Sequence, residues 1–151
     1  MNKFLVAAAL LLLSGTAQAQ EPVSHWPDAV SWGTALTNPT LAAVDALRSE
    51  QKGCRLGRLA LSEGIVNGVG LTLKHFIVSP RPCIGCAPDG FPSGHSANSM
   101  VGSFGWRYGI VFGASTASLR LEANRHTPKQ VAAGLLLGAA GEFAGRLIKC
   151  P

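Results

Sequence analysis

Apolar positions recur at helical spacing through most of the chain, and nowhere do they keep the two-residue alternation of a half-buried strand. The longest such stretch predicts a helix over residues 54–78. Leu56, Leu59, Ala60, Ile65, Val66, Val69, Leu73, Phe76 and Ile77 make a wide stripe, and Pro80 and Pro82 stop it. A short amphipathic helix is expected over 40–49, with Leu41, Ala43, Val44 and Leu47 on one face, Asn38-Pro39 at its start and Gln51-Lys52-Gly53 after its end. Further helices are expected over 96–113, 114–121 and 127–147. The last carries a complete start signal: Thr127 as N-cap, Pro128 at the first helical position and Gln130 completing a capping box. Residues 79–92, with four prolines and two glycines, form a loop. Residues 20–39, rich in Pro, Ser, Trp and Thr, are expected to be an irregular arm with one helical turn, Trp26 and Trp32 covering an edge of the domain. The predicted fold class is all-α, a compact helical bundle, in one domain over residues 20–151.

The first residues have a different pattern. Lys3 precedes the apolar run from Phe4 to Leu13, and Ala17 and Ala19 flank Gln18, as a signal peptidase requires. Residues 1–19 are therefore expected to be a cleaved signal peptide; the alternative is an uncleaved anchor, for which the apolar run is short against the ~20 residues of a span. Export, to a periplasm or outside the cell, places the four cysteines, Cys54, Cys83, Cys86 and Cys150, where disulfides form.

Composition narrows the functional classes. Charged residues are 14% of the chain, glycine numbers 18, and the formal net charge is +5. The basic residues are scattered, which disfavours nucleic acid and suits an anionic small molecule or an anionic membrane surface. Their positions suggest the chemistry. Ser93-Gly94 and His126 each precede a predicted helix start, where unpaired N–H groups and the helix dipole favour an anion. Arg81 and Arg120 supply planar forks for phosphate oxygens and Lys74 a compact charge. Two histidines, His95 and His126, can divide the work of nucleophile and general acid. No carboxylate cluster for a pair of metals is evident, so a metal-free mechanism is expected. His75 is expected to pack or face solvent, and His25 has no evident partner.

These residues spell three motifs in order. They are Lys74-His75-Phe76-Ile77-Val78-Ser79-Pro80-Arg81-Pro82, then Pro92-Ser93-Gly94-His95, then Arg120 through His126 to Gln130. The arrangement resembles the superfamily of type-2 phosphatidic acid phosphatases, bacterial acid phosphatases and vanadium haloperoxidases. Its pattern is Lys-x6-Arg-Pro, Pro-Ser-Gly-His and Ser-Arg-x5-His-x3-Asp. The resemblance covers residues 74–130 and implies that superfamily's helical bundle. It implies His126 as the nucleophile forming a phosphohistidine, His95 as general acid, and Lys74, Arg81, Ser93, Gly94 and Arg120 as phosphate ligands. It also implies no cofactor, although vanadate can occupy such a site. The substrate would be a phosphorylated small molecule or a lipid headgroup, with membrane-surface association open.

Two positions depart from the pattern: Leu119 stands for the serine, and Gln130 for the aspartate that orients and charge-stabilises the nucleophilic histidine. A glutamine oxygen can orient the ring without the charge. If the missing charge is a handicap, Gln130→Asp is expected to raise turnover. Glu122 is a substitute carboxylate or, in the simpler reading, an ion-pair partner of Arg120 or Arg125. Three alternatives to a soluble phosphatase stand: a non-catalytic anion binder, a membrane-embedded lipid phosphatase, and a vanadate-dependent haloperoxidase.

Cys83 and Cys86 are expected to close a structural disulfide in the loop; a redox pair suits a Pro/Gly loop less well, and for a zinc site two further ligands are not evident. Cys54 and Cys150 follow from geometry. If Lys74 and His126 reach one anion, their helices are antiparallel. Cys54 then lies about 30 Å from Lys74 and Cys150 about 36 Å from His126, both at the far end.

Overall fold

In the computed structural model, which describes residues 21–151, five α-helices and one turn of 3-10 helix follow in order. They are α1 (His25–Arg48), α2 (Lys52–Phe76), α3 (Gly94–Asn98), the 3-10 turn (Ser103–Gly105), α4 (Gly109–Glu122) and α5 (Pro128–Arg146). The described residues hold no strand, only isolated bridges between Glu21 and Cys83 and between Ser79 and Asp89. The all-α expectation holds there; the expected signal peptide lies outside the described residues.

Glycine spacing explains how the bundle closes. Gly134, Gly138, Gly141 and Gly145 fall on one face of α5 and are all buried. A β-carbon at these positions would collide in turn with the Ser93 carbonyl, the Ala97 carbonyl, the Val66 side chain and the Ser62 hydroxyl. With no side chains between them, α5 meets α2 and α3 at backbone distance. The apolar core is correspondingly small: Val66, Ala97 and Val101, with Leu59 and Leu137 packed against it. We expect Gly138→Ala to lower stability by about 2 kcal/mol through overpacking, although alanine is the better helix former by about 1 kcal/mol. Gly64, exposed on α2 with open space around it, is the control: Gly64→Ala should raise the thermal midpoint while Gly138→Ala lowers it.

Two elements differ from expectation. Of the irregular arm expected over residues 20–39, the part from His25 onward belongs to α1, which runs unbroken through Pro39 and takes in the helix expected over 40–49. Its buried positions are Pro27, Ser31, Ala35, Asn38 and Ala46. They keep helical spacing, but small and polar side chains make the stripe, so hydropathy does not reveal it. The predicted helix over 96–113 is broken. α3 ends at Asn98, the chain turns through Gly102 at φ 79°, and α4 starts at Gly109, taking in the helix expected over 114–121. Side chains from elsewhere hold the break. The buried Asn38 amide donates to the carbonyls of Ser99 (2.5 Å) and Gly109 (2.8 Å), and its oxygen accepts from the Trp106 indole (2.9 Å). Glu142 Oε2 accepts from the Gly102 N–H at 2.9 Å.

Both expected disulfides are present, Cys54–Cys150 and Cys83–Cys86, as an oxidising compartment allows. The first joins the start of α2 to the chain after α5. The end of α2, bearing Lys74, and the start of α5, after His126, therefore share the other end of the bundle. No described helix is long and apolar enough to cross a membrane.

Candidate active site

The loop between α2 and α3 is tied down on both sides, and that placement builds the site. Ser79 N–H bonds the Pro88 carbonyl and Gly90 N–H bonds the Ser79 carbonyl, which closes the loop on itself. Gln130, in the first turn of α5, then fastens it to the bundle. Its Nε2 donates to Ser79 Oγ and to the Pro80 carbonyl, both at 2.9 Å. Its Oε1 accepts from the Thr127 N–H (3.0 Å), the expected capping box. Gly90 is where these groups crowd: a β-carbon there would strike the Gln130 amide.

These bonds decide the state of His126. Its Nδ1 lies 3.0 Å from the Gly90 carbonyl and 3.2 Å from Gln130 Oε1. Both neighbours are acceptors, because the Gln130 amide is oriented by its other partners, so Nδ1 carries the proton. Among the described residues nothing donates to Nε2, which keeps its lone pair. The ring is buried. Burial, with Arg120 and Arg81 nearby, pushes its pKa down to about 3, against the Gln130 hydrogen bond.

Cations surround it. Arg120, at the end of α4, is buried; its Nη1 donates to Asp28 Oδ1 (2.5 Å) and Ser31 Oγ (3.0 Å), both on α1. Arg125 Nη2 reaches the other Asp28 oxygen at 2.7 Å. Arg81 pairs with Asp89 at 2.9 Å, and Lys74 Nζ donates to the Asp89 carbonyl at 2.5 Å. Burial lowers the Lys74 pKa, as do Arg81 and Arg120, against the pull of Asp89. The Nε atoms of Arg81, Arg120 and Arg125 are buried with no acceptor among the described residues. Unpaired buried donors are costly, and three of them on guanidinium groups suit an anion that would accept from them.

His95, on the first turn of α3, lies in the same field. Burial and Arg120 push its pKa down to about 4 against Asp28, with Arg81 and Arg125 lowering it further. Its Nε2 is buried without a partner among the described residues, and its ring packs edge-on against Trp32, centroids 4.1 Å apart. Both imidazoles thus feel the charge of the same two arginines, Arg120 and Arg81.

Ser93 serves differently from the expectation. Ser93 N–H is taken by the Gln130 carbonyl, and its hydroxyl caps α3 by accepting from Ser96. Only Gly94 and His95, the first residues of α3, keep N–H groups without a helical acceptor. α3 has five residues, so its dipole is slight compared with that of the long helix expected there. Glu122 makes no ion pair among the described residues; Asp28 takes both arginines in its place.

Asp28, Ser31, Trp32, Ser79, Gly90 and Arg125 were not among the candidates from sequence. The first three share one face in the first half of α1, where the buried side is too polar to register as amphipathic. Ser79 and Gly90 act through loop geometry.

The geometry also changes the expectation for position 130. An aspartate there is one methylene short and has no N–H to donate, so the bonds to Ser79 and Pro80 are lost. We expect Gln130→Asp to cost about 2 kcal/mol and to lower turnover, where the missing charge alone predicts a rise. Thermal unfolding and phosphate release measured on the same preparation separate the two.

Comparison with protein-family models, with curated proteins and with solved structures finds no match to this chain.

Proposed function

We propose that the chain is a phosphatase of the acid phosphatase and type-2 phosphatidic acid phosphatase kind, hydrolysing a phosphate monoester through a covalent phosphohistidine. The observation that most supports this is the state of His126: Nδ1–H held by two acceptors and Nε2 left with its lone pair, with buried guanidinium donors that have no acceptor among the described residues. The three motifs in order support it independently.

In this mechanism Arg81, Arg120, Arg125 and Lys74 bind the phosphate oxygens and offset charge as the transition state develops. His126 Nε2 attacks phosphorus. The P–O bond to the leaving group breaks, and the departing oxygen takes a proton from His95. His126 is then an N-phosphoryl cation, and Gln130 Oε1 and the Gly90 carbonyl continue to accept its Nδ1–H. Water, deprotonated by His95, attacks phosphorus; the P–N bond breaks, inorganic phosphate leaves and both imidazoles are restored. Because His95 must carry a proton before attack, and its pKa in the free protein lies at about 4, kcat/KM should be highest in acid and fall towards neutrality.

Release of phosphate from an aryl phosphate, followed from pH 3 to 8, tests the reading. Acid-favoured turnover inhibited by vanadate is expected. Phosphate binding with no hydrolysis at any pH would leave the anion binder instead. Parallel assays with soluble and lipid phosphates distinguish the two sources of the phosphate group.

A further inference from the structure

The far end of the bundle holds a cavity that the catalytic reading does not use. Its volume is about 550 Å³, within the range of small-molecule pockets. α1, α2, the 3-10 turn and α5 all contribute to its wall. Arg58 lies in it, sixteen residues before Lys74 on the same helix, about 24 Å away along the axis. Binding there is therefore separate from the phosphate site.

The lining has two parts. Leu41, Leu59, Phe104 and Trp106 provide apolar wall. The charged residues are Asp45, Arg55, Arg58, Glu142 and Arg146. Four of these cancel: Arg55 pairs with Asp45 at 2.6 Å, and Arg146 with Glu142 at 2.7 Å. Glu142 is further committed to the Gly102 N–H. Arg58 makes no ion pair among the described residues, although it is half-buried at the wall. The cavity therefore presents one unmatched guanidinium beside an apolar surface.

We infer that this cavity binds an amphiphile with one anionic head, a medium- or long-chain carboxylate. The head forms a two-point contact with Arg58 and the chain lies along Leu41, Leu59 and Phe104. A carboxylate matches the guanidinium fork. A second anionic group on the ligand would meet Asp45 and Glu142, whose partners are already taken, so a single charge fits best. Apolar chain in contact with the wall should strengthen binding by about fourfold per methylene.

Calorimetric titration of the folded chain with octanoate, decanoate and dodecanoate below their micelle concentrations tests this, with decanol as the uncharged control. Affinity should rise steadily with chain length, and decanoate should bind at least about tenfold more tightly than decanol. Arg58→Gln should remove that preference while leaving decanol binding unchanged. Leu41→Glu, which places a negative charge on the wall at a partly exposed position, should weaken the carboxylates selectively. Saturating inorganic phosphate should not compete. The inference is overturned if none of the carboxylates binds, if affinity is independent of chain length, or if Arg58→Gln leaves decanoate affinity unaltered. Competition by phosphate would overturn it too, by placing the carboxylate in the site of His126. None of these readouts depends on hydrolysis, so this inference and the phosphatase reading fail independently.

Discussion

His126→Ala is expected to reduce phosphate release by about 10⁴-fold or more, while inorganic phosphate still binds within a few-fold of the parent affinity. Removal of a covalent nucleophile costs far more in turnover than in ground-state binding. Here the binding groups are Arg81, Arg120, Arg125 and Lys74, and none of them is held in place by the His126 ring. Gln130 Oε1 keeps its Thr127 partner when the ring is gone, so the loop stays fastened. His126→Gln, which fills more of the space, guards against a cavity effect. Acid-quench trapping of a phosphorylated chain should succeed with the parent and fail with both variants. A variant retaining a tenth of the activity would remove His126 from the nucleophile's role.

Asp28→Ala is expected to destabilise the fold by about 3 kcal/mol, a fall in thermal midpoint of roughly 10 °C. One carboxylate compensates two guanidinium groups, Arg120 on one oxygen and Arg125 on the other, and the Arg120 side chain is only 4% exposed. Without Asp28 those charges stay buried and repel. Inorganic phosphate should then stabilise the variant more than the parent, because it supplies the charge that was removed. Equal phosphate shifts in both would separate Asp28 from the anion site. The effect has a definite pH sense. Burial raises the Asp28 pKa, but Arg125 and Arg120 outweigh it and hold the carboxyl below its usual value of 3.8. Its contribution is therefore complete above that value and lost as pH falls through the lower folded one. The buried histidines weaken the fold sooner. They stay neutral while the unfolded chain takes up protons below about pH 6.5, which costs up to about 1.4 kcal/mol per pH unit for each. Midpoints should begin to fall below neutrality, and Asp28→Ala should flatten only the most acidic part of that decline.

Much of the arrangement is legible in the sequence. The α5 start at Thr127-Pro128 with Gln130 is a local signal, carried by residues that bond each other, and it reads correctly. α2 declares itself through a continuous apolar stripe closed by prolines. The Cys54–Cys150 pairing followed from supposing that Lys74 and His126 share an end. The first half of α1 was hidden because its buried face is Ser31, Ala35 and Asn38, and the break after α3 because Asn38 and Glu142, distant in sequence, supply the hydrogen bonds that hold it.

By itself the sequence determined the helical class, the long helices α2 and α5, and the identity of the cationic and imidazole groups, since periodicity, caps and side-chain chemistry are local properties. Tertiary structure alone decided that Asp28 neutralises Arg120 and Arg125, that Gln130 is an anchor for a loop as well as a cap, and which nitrogen of His126 keeps its lone pair. Each of those depends on which donor meets which acceptor across the fold, and no run of neighbouring residues encodes that.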